Sequence, residues 1–249
     1  MTNLQGKLAV VIGASGQESF GTSIARELAS AGATVIVAAR RIEPLESLAK
    51  EIDGIAIQCD MSDENQIQAL FKQAAEIAPL DIAVNSAGSL AAAPISMLTT
   101  DLIQPTLDVS FIGTLLFFRY AAEAMTEGGS VMTISSLTAR LPGPALGVYS
   151  AARAGIDYAV RVAALEYGAK NIRFNSIAAG LIRTDMTELM FQDPATEARF
   201  VDEIPLGRMG TTDDMAKTAL WLADETASGF ITGQLIDLSG GQHMGHLPK

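Results

Sequence analysis

The sequence of 249 residues is short of the groups that staple, ligate metal or attract polyanions. Its one cysteine, Cys59, rules out an intrachain disulfide and fits a reducing compartment. Its two histidines, His243 and His246, both lie in the tail, and with one thiol and no acidic cluster beside them they do not make a metal site. No Ser-His-Asp order suggests a hydrolase. Basic residues are in the minority, 17 against 28 acidic, so the net charge is -11 and the surface repels phosphate backbones, which argues against nucleic acid. Long apolar runs are missing as well. Phe111 to Phe118 stops at Arg119, well short of the roughly 20 residues that a membrane helix needs. Met1 to Lys7 has no basic region followed by an apolar stretch, so no signal peptide is expected and the expected location is cytoplasmic.

Aliphatic residues are plentiful, and 49% of the chain is hydrophobic with only 6% aromatic. Short β-branched runs alternate with longer helical patterns. Strands are expected at Leu8–Ile12, Thr34–Ala38, Ile55–Gln58, Ile82–Val84, Ser130–Ile134, Ile172–Ile177 and Leu235–Leu238. Most are apolar at consecutive positions, the mark of strands covered on both faces, as in a parallel sheet. Between them, Gly21–Ala31, Asp63–Ile77 and Asp213–Ala223 carry apolar residues at helical spacing, and Pro44 sits near the start of another helix. Repeated β-α units imply an α/β fold with a doubly wound sheet of about seven strands and helices on both faces. No linker or shift in composition marks a second domain, so residues 1–249 read as one unit. Residues 185–205 read as an irregular insertion, a substrate lid over the sheet.

The first strand runs into Gly13-Ala14-Ser15-Gly16-Gln17-Glu18-Ser19-Phe20-Gly21-Thr22 and then a helix. Glycines there permit a tight turn, and a helix N-terminus offers free N–H groups to a pyrophosphate. The second strand ends Ala38-Ala39-Arg40-Arg41, without the acidic residue that would bind a ribose diol. A guanidinium there can bracket a 2′-phosphate, so NADP(H) is the expected cofactor and NAD(H) the alternative. Ser136 follows a strand, and Tyr149 stands thirteen residues later. Tyr149 and Arg153, four apart, share one helical face. A tyrosine beside a cation can serve as acid and base for a carbonyl–alcohol pair.

Taken with Asn85-Ser86-Ala87-Gly88, Pro205-Leu206-Gly207-Arg208-Met209-Gly210 and Ile231 to Gly241, these motifs resemble the short-chain dehydrogenase/reductase family from about residue 5 to residue 241, in a ketoacyl-reductase-like form. The resemblance implies a Rossmann fold and an oxidoreductase that interconverts a ketone and a secondary alcohol. It implies Tyr149 as acid/base, Ser136 on the substrate oxygen, and Arg153 where the family has Lys. Ser110 stands where the family places Asn. Cofactor contacts are implied at Gly13, Ser15, Gly16, Ser19, Phe20, Gly21, Arg40, Arg41, Asp60, Met61, Asn85, Ala87, Gly88, Tyr149, Arg153, Ala179 and Gly180. Asn85 is expected to brace neighbouring strands. Ala179-Gly180 replaces the family's Pro-Gly, with Ile182 and Thr184 as nicotinamide and phosphate contacts.

Leu90, Leu137, Leu141, Leu146, Val148, Met186, Leu189, Met190 and Phe191 suggest a mostly apolar small-molecule substrate. A homotetramer or dimer is implied through Phe111–Met125 and Tyr149–Tyr167. Two other readings stay open. One is a cofactor-binding relative with little hydride transfer, or with dehydratase or isomerase chemistry, because residues 110, 153 and 179 depart from the pattern. The other is an enoyl reductase, because Gly13 and Gly21 are two residues further apart than the family's common spacing and Ser19 falls six residues after Gly13, as in that branch.

Overall fold

The computed structural model describes residues 2–185, 187–188 and 193–245. Met186, Leu189, Met190 and Phe191, four of the expected substrate-wall residues, lie outside them, as does His246. Seven parallel strands form one sheet: β1 Leu8–Ile12, β2 Thr34–Ala39, β3 Ile55–Gln58, β4 Ile82–Asn85, β5 Gly129–Ser136, β6 Ile172–Ala179 and β7 Leu235–Leu238. Their order is β3-β2-β1-β4-β5-β6-β7. The order reverses between β1 and β4, and in open α/β sheets a crevice opens at such a switch point, beyond the carboxyl ends of the strands.

The alternation along β1 shows why its residues are apolar without a break. Ala9 and Val11 pack on one side with α1 (Phe20–Ser30), α2 (Ile42–Glu51) and α8 (Thr212–Ala223). Leu8, Val10 and Ile12 pack on the other with α3 (Glu64–Ile77), α5 (Gly113–Ala124) and α6 (Gly147–Tyr167). Each aliphatic side chain buried this way contributes about 1.5–3 kcal/mol. Edge-to-face pairs, Phe71–Phe117 at 5.1 Å and Phe118–Phe174 at 5.3 Å, close the second core.

Four strands run further than their apolar runs. β5 extends to Ser136 and β6 to Ala179, where the two residues pair. Ladder pairing with a neighbour holds small and polar residues that resemble loop when read alone. β2 likewise takes in Ala39 and β4 takes in Asn85. Residues 185–205 are less irregular than expected, because they contain α7 (Pro194–Asp202), capped by Asp193 with proline in its first turn. α4 (Thr100–Leu107), a π-helical turn at Asp108–Ile112 and α5 join into one helical run, Thr100–Ala124, long and apolar enough to cross a membrane by length and composition. In this fold the run packs Phe117, Phe118 and Ala121 into the core beneath α3. The π turn keeps Gly113 tight on the chain after β3, where an added Cβ would run into the Met61 carbonyl oxygen.

Candidate active site

A cleft of about 760 Å³ opens at the carboxyl ends of β1, β2 and β4. Its wall includes Gly13, Ser15, Gly16, Ser19, Phe20, Arg40, Arg41, Asp60, Met61, Ala87, Gly88 and Thr184, twelve of the residues expected to touch a dinucleotide. Gly13, at φ +91°, turns the chain so tightly over β4 that a Cβ would lie 2.6 Å from the Ala87 nitrogen. Gly21 does not line the cleft; a Cβ there would lie 2.6 Å from the Gly13 carbonyl oxygen, so it seats α1 on the loop. Ser19 caps α1, accepting from Thr22 N at 3.2 Å, while the Thr22 hydroxyl donates to Gly16 O at 2.6 Å. The longer loop is thus folded onto its own helix end.

At the far end of the cleft Arg40 is exposed, and Arg41 Nη2 donates to Ser15 O at 2.8 Å and approaches Ser15 Oγ at 3.2 Å. Two guanidiniums therefore border the wall where β2 ends. Asp60 accepts from the Ser62 nitrogen at 2.9 Å and the Ser62 hydroxyl at 2.8 Å. Burial, with Asp60 and Asp63 nearby, pushes the Cys59 thiol up to about 12, so it behaves as a small apolar residue.

The residues expected to carry the reaction, Ser136, Tyr149 and Arg153, are not part of that wall. Ser136 ends β5, and its Oγ accepts from Thr138 N at 3.2 Å. Tyr149 is in the first turn of α6, with the Arg153 guanidinium 5.3 Å from its ring centroid. Arg153 is buried, 4% exposed. Its Nη1 donates to Ile134 O at 2.9 Å and its Nη2 to Ala87 O at 3.4 Å, bridging the ends of β5 and β4. Its Nε is buried and has no hydrogen-bond partner among the described residues. Gly88 leaves the room for this, since a Cβ there would collide with Arg153 Nη2.

Ser110 is fully buried, and its hydroxyl accepts from Ser89 N at 3.0 Å and donates to Ser89 O at 3.2 Å, holding the chain after β4. Asn85 pairs in the ladder with Ile12 of β1 and Thr133 of β5, while its side chain turns to α5 and to the chain after β4. Its Nδ2 donates to Thr114 Oγ1 on α5 at 3.0 Å, and its Oδ1 accepts from Ala87 N at 3.0 Å, because a fully buried amide must satisfy both ends. Ala179 and Ile182 are buried, and a Cβ on Gly180 would lie 2.6 Å from Ser239 Cα, so these three pack the end of β6. Among the apolar candidates, Leu137 and Val148 are buried and Leu90 is exposed.

Three features were not read from the sequence. Asp185 reaches over the glycine loop: both carboxylate oxygens accept from Glu18 N at 3.2 Å, and Asp185 N donates to Glu18 O at 3.1 Å. Ser86, Ser89, Asp108 and Val109 also line the cleft. Of these, Ser86 lies inside the quoted Asn-Ser-Ala-Gly motif, and its hydroxyl donates to Ile12 O at 2.8 Å. Finally, Asp237, Ser239 and His243, all within seven consecutive positions of the chain, stand close to one another. Ser239 Oγ is 2.9 Å from His243 Nδ1. His243 Nε2 is 4.0 Å from Asp237, beyond hydrogen-bond length, and Arg140 ion-pairs that carboxylate. It is not a nucleophile triad.

The cleft suits a dinucleotide in shape and donors: glycines floor it where a Cβ would collide, a helix N-terminus opens onto it, and two guanidiniums border it. A family model described as enoyl-(acyl carrier protein) reductase matches residues 13–243. The chain is 31% identical to 3beta-hydroxysteroid dehydrogenase 1 of Eggerthella lenta, over 96% of this chain and 94% of that protein. A structure from Sinorhizobium meliloti assigned as a short-chain alcohol dehydrogenase superposes with a TM-score of 0.93 at 32% identity, covering 98% of this chain and 99% of the other. One from Agrobacterium tumefaciens, assigned as a 2-deoxy-D-gluconate 3-dehydrogenase with bound NADP, gives 0.88 at 30% identity over 97% and 98%.

Proposed function

The chain belongs to the short-chain dehydrogenase/reductase family of oxidoreductases, and on that premise we propose that it uses NADP(H) to interconvert a ketone and a secondary alcohol on a mostly apolar small molecule. The observation that carries the reading is the Arg153 guanidinium, buried between Ile134 O and Ala87 O and 5.3 Å from the Tyr149 ring centroid. It sets a fixed positive charge beside the phenol that would exchange a proton with the substrate oxygen.

The glycine loop, Asp60, Met61, Ala87, Gly88 and Thr184 would hold the nicotinamide cofactor, which would supply or take up the hydride. In the reductive direction Tyr149 Oη gives its proton to the substrate oxygen as negative charge develops there, and Ser136 Oγ donates a hydrogen bond to the same oxygen. In the oxidative direction the Tyr149 phenolate takes the hydroxyl proton. Arg153 keeps its own proton throughout, so the proton route to solvent does not run through residue 153. Ser110 acts on the chain after β4 through Ser89 rather than on the substrate.

The preference for NADP(H) rests on Arg40 and Arg41 at the end of β2 and on Ala39 in the place of an acid. Residues 185–205, with α7 in their midst, are read as the substrate lid, and two or four copies of the chain as the working assembly. The enoyl reductase reading has in its favour the description of the matching family model and Ser19, six residues after Gly13, built into the turn as the cap of α1.

The experiment is a reaction of purified protein with NADPH and a panel of apolar ketones and α,β-unsaturated thioesters, with products identified by mass and chirality. A chiral secondary alcohol supports the proposal. Saturated thioester supports the alternative. Cofactor binding without any product supports the reading with little hydride transfer.

A further inference from the structure

Asp157 lies on α6, four residues after Arg153 and eight after Tyr149, so all three stand on one face of the helix. It is a carboxylate only 8% exposed in a helix that packs on the sheet. Ser135 Oγ, on β5, donates to its Oδ2 at 2.9 Å, and Ser176 Oγ, on β6, donates to its Oδ1 at 2.7 Å. Both oxygens therefore accept, as an ionised carboxylate does. Two cations act on it. One is Arg153 on its own helix. The other is Arg140, in the segment after β5, which is itself ion-paired to Asp237 on β7. Burial raises the carboxyl above its ordinary value, and the two serines and two arginines oppose that rise.

A buried carboxylate is costly unless it does something for its neighbours. Arg153 has the converse problem: it is a buried cation that donates to two main-chain carbonyls and not to an acid. The two opposite charges lie one helical turn apart, about 6 Å along the axis, with Tyr149 one turn beyond Arg153. Ser135, which Asp157 grips, is the residue before Ser136 on β5.

We propose that Asp157 is a positioning residue of the reaction centre, locking α6 onto β5 and β6 through Ser135 and Ser176 and balancing the charge that Arg153 presents to Tyr149. The first role keeps Ser136 and Tyr149 in register, since one sits on β5 and the other on α6. The second decides how much of the Arg153 charge Tyr149 feels. Asp157 touches neither substrate nor cofactor and works through its neighbours.

The inference rests on Tyr149 as the acid/base, but its test needs neither cofactor nor substrate. An ultraviolet difference titration of the unmodified protein against Y149F isolates the ionisation of Tyr149. Asp157→Asn keeps a partner for each serine and removes the charge. We expect the Tyr149 signal in D157N to move to lower pH by about half a unit to one unit, as follows from one charge about 12 Å away in a protein-like dielectric. The thermal midpoint stays level or rises, because a buried charge has gone. Asp157→Ser, smaller and also neutral, shifts the signal the same way and serves if D157N does not fold. The pH profile of kcat/KM, measured with any ketone the protein reduces, shifts in the same sense. A D157N or D157S titration that superimposes on that of the unmodified protein overturns the inference. Full turnover by Y149F would instead remove the acid/base reading, leaving the charge coupling to stand or fall on the titration.

Discussion

Arg153 Nη1 donates to the carbonyl oxygen of Ile134 at 2.9 Å, two residues before Ser136 on the same strand. One side chain of α6 thus ties the serine-bearing end of β5 to the helix that carries Tyr149. Its other nitrogen, Nη2, reaches Ala87 O beyond β4. The planar fork is what makes both contacts at once, and a lysine offers a single point charge in its place. Arg153→Lys is therefore expected to lower the thermal midpoint, at a cost of about 1–2 kcal/mol for one charged hydrogen bond lost. Thermal unfolding monitored by circular dichroism checks this. A variant as stable as the unmodified protein would show that the double clasp contributes nothing.

Tyr149→Phe removes only the hydroxyl. Turnover is expected to fall by about 100-fold or more, the scale of a lost general acid, with NADPH affinity nearly unchanged. Steady-state kinetics beside a direct binding titration separate the two. Weaker binding at undiminished kcat would place Tyr149 in the cofactor site alone.

Gly13 stands at φ +91° with the Ala87 nitrogen 2.6 Å from where a Cβ would be. Gly13→Ala is expected to cost about 2 kcal/mol or more in stability and to abolish cofactor binding, because the loop must move off β4. Calorimetric binding and a denaturant midpoint test both parts.

Asp214 is expected to contribute to a loss of stability in acid. Its carboxylate is held far below the usual range, chiefly by the Arg208 guanidinium at 2.8 Å and also by the Thr211 N–H and hydroxyl at the cap of α8. The folded-state value is depressed. The contribution is therefore complete above about pH 4–5 and is lost as pH falls through the ordinary carboxylate range toward the folded value. Asp214→Asn is expected to lower stability at neutral pH by about 1 kcal/mol, with less loss in acid, since Arg208 is more than half exposed and the pair is screened. Denaturant midpoints at pH 7 and pH 3 show this as a narrowing gap between the two proteins.

Most of the seven strands were legible as short β-branched runs: Leu8–Ile12 is apolar and buried at every position, and Ile172–Ile177 keeps enough aliphatic and aromatic residues to read as a strand although Arg173, Asn175 and Ser176 interrupt it. Strand ends were less so. Ser135, Ser136 and Ala179 belong to strands through pairing with a neighbour, which no local pattern encodes. The Asp193-Pro194 pair does announce α7, although the mixed composition around it reads as irregular. The dinucleotide loop was legible as glycines before an amphipathic helix, whereas the grip of Asp185 on Glu18 joins residues 167 apart and is visible only in three dimensions. Asn85 shows a further gap: the sequence marks it as important, but its partner Thr114 emerges only from the packing of α5 on β4. Asp157 is similar, an acid on an otherwise buried helical face whose two serines lie on different strands.

Arg40→Ala is expected to weaken NADPH about 10- to 100-fold, the worth of one or two charge-assisted phosphate contacts, while leaving NADH within a few-fold. Equal loss for both cofactors would assign Arg40 to something they share rather than to the 2′-phosphate.

The most direct test of the account is a titration of the purified protein with NADPH and, separately, NADH, followed by nicotinamide fluorescence. Tight NADPH beside weak NADH is the expected result and places the 2′-phosphate at Arg40 and Arg41. Binding of neither, or tighter binding of NADH, would contradict it.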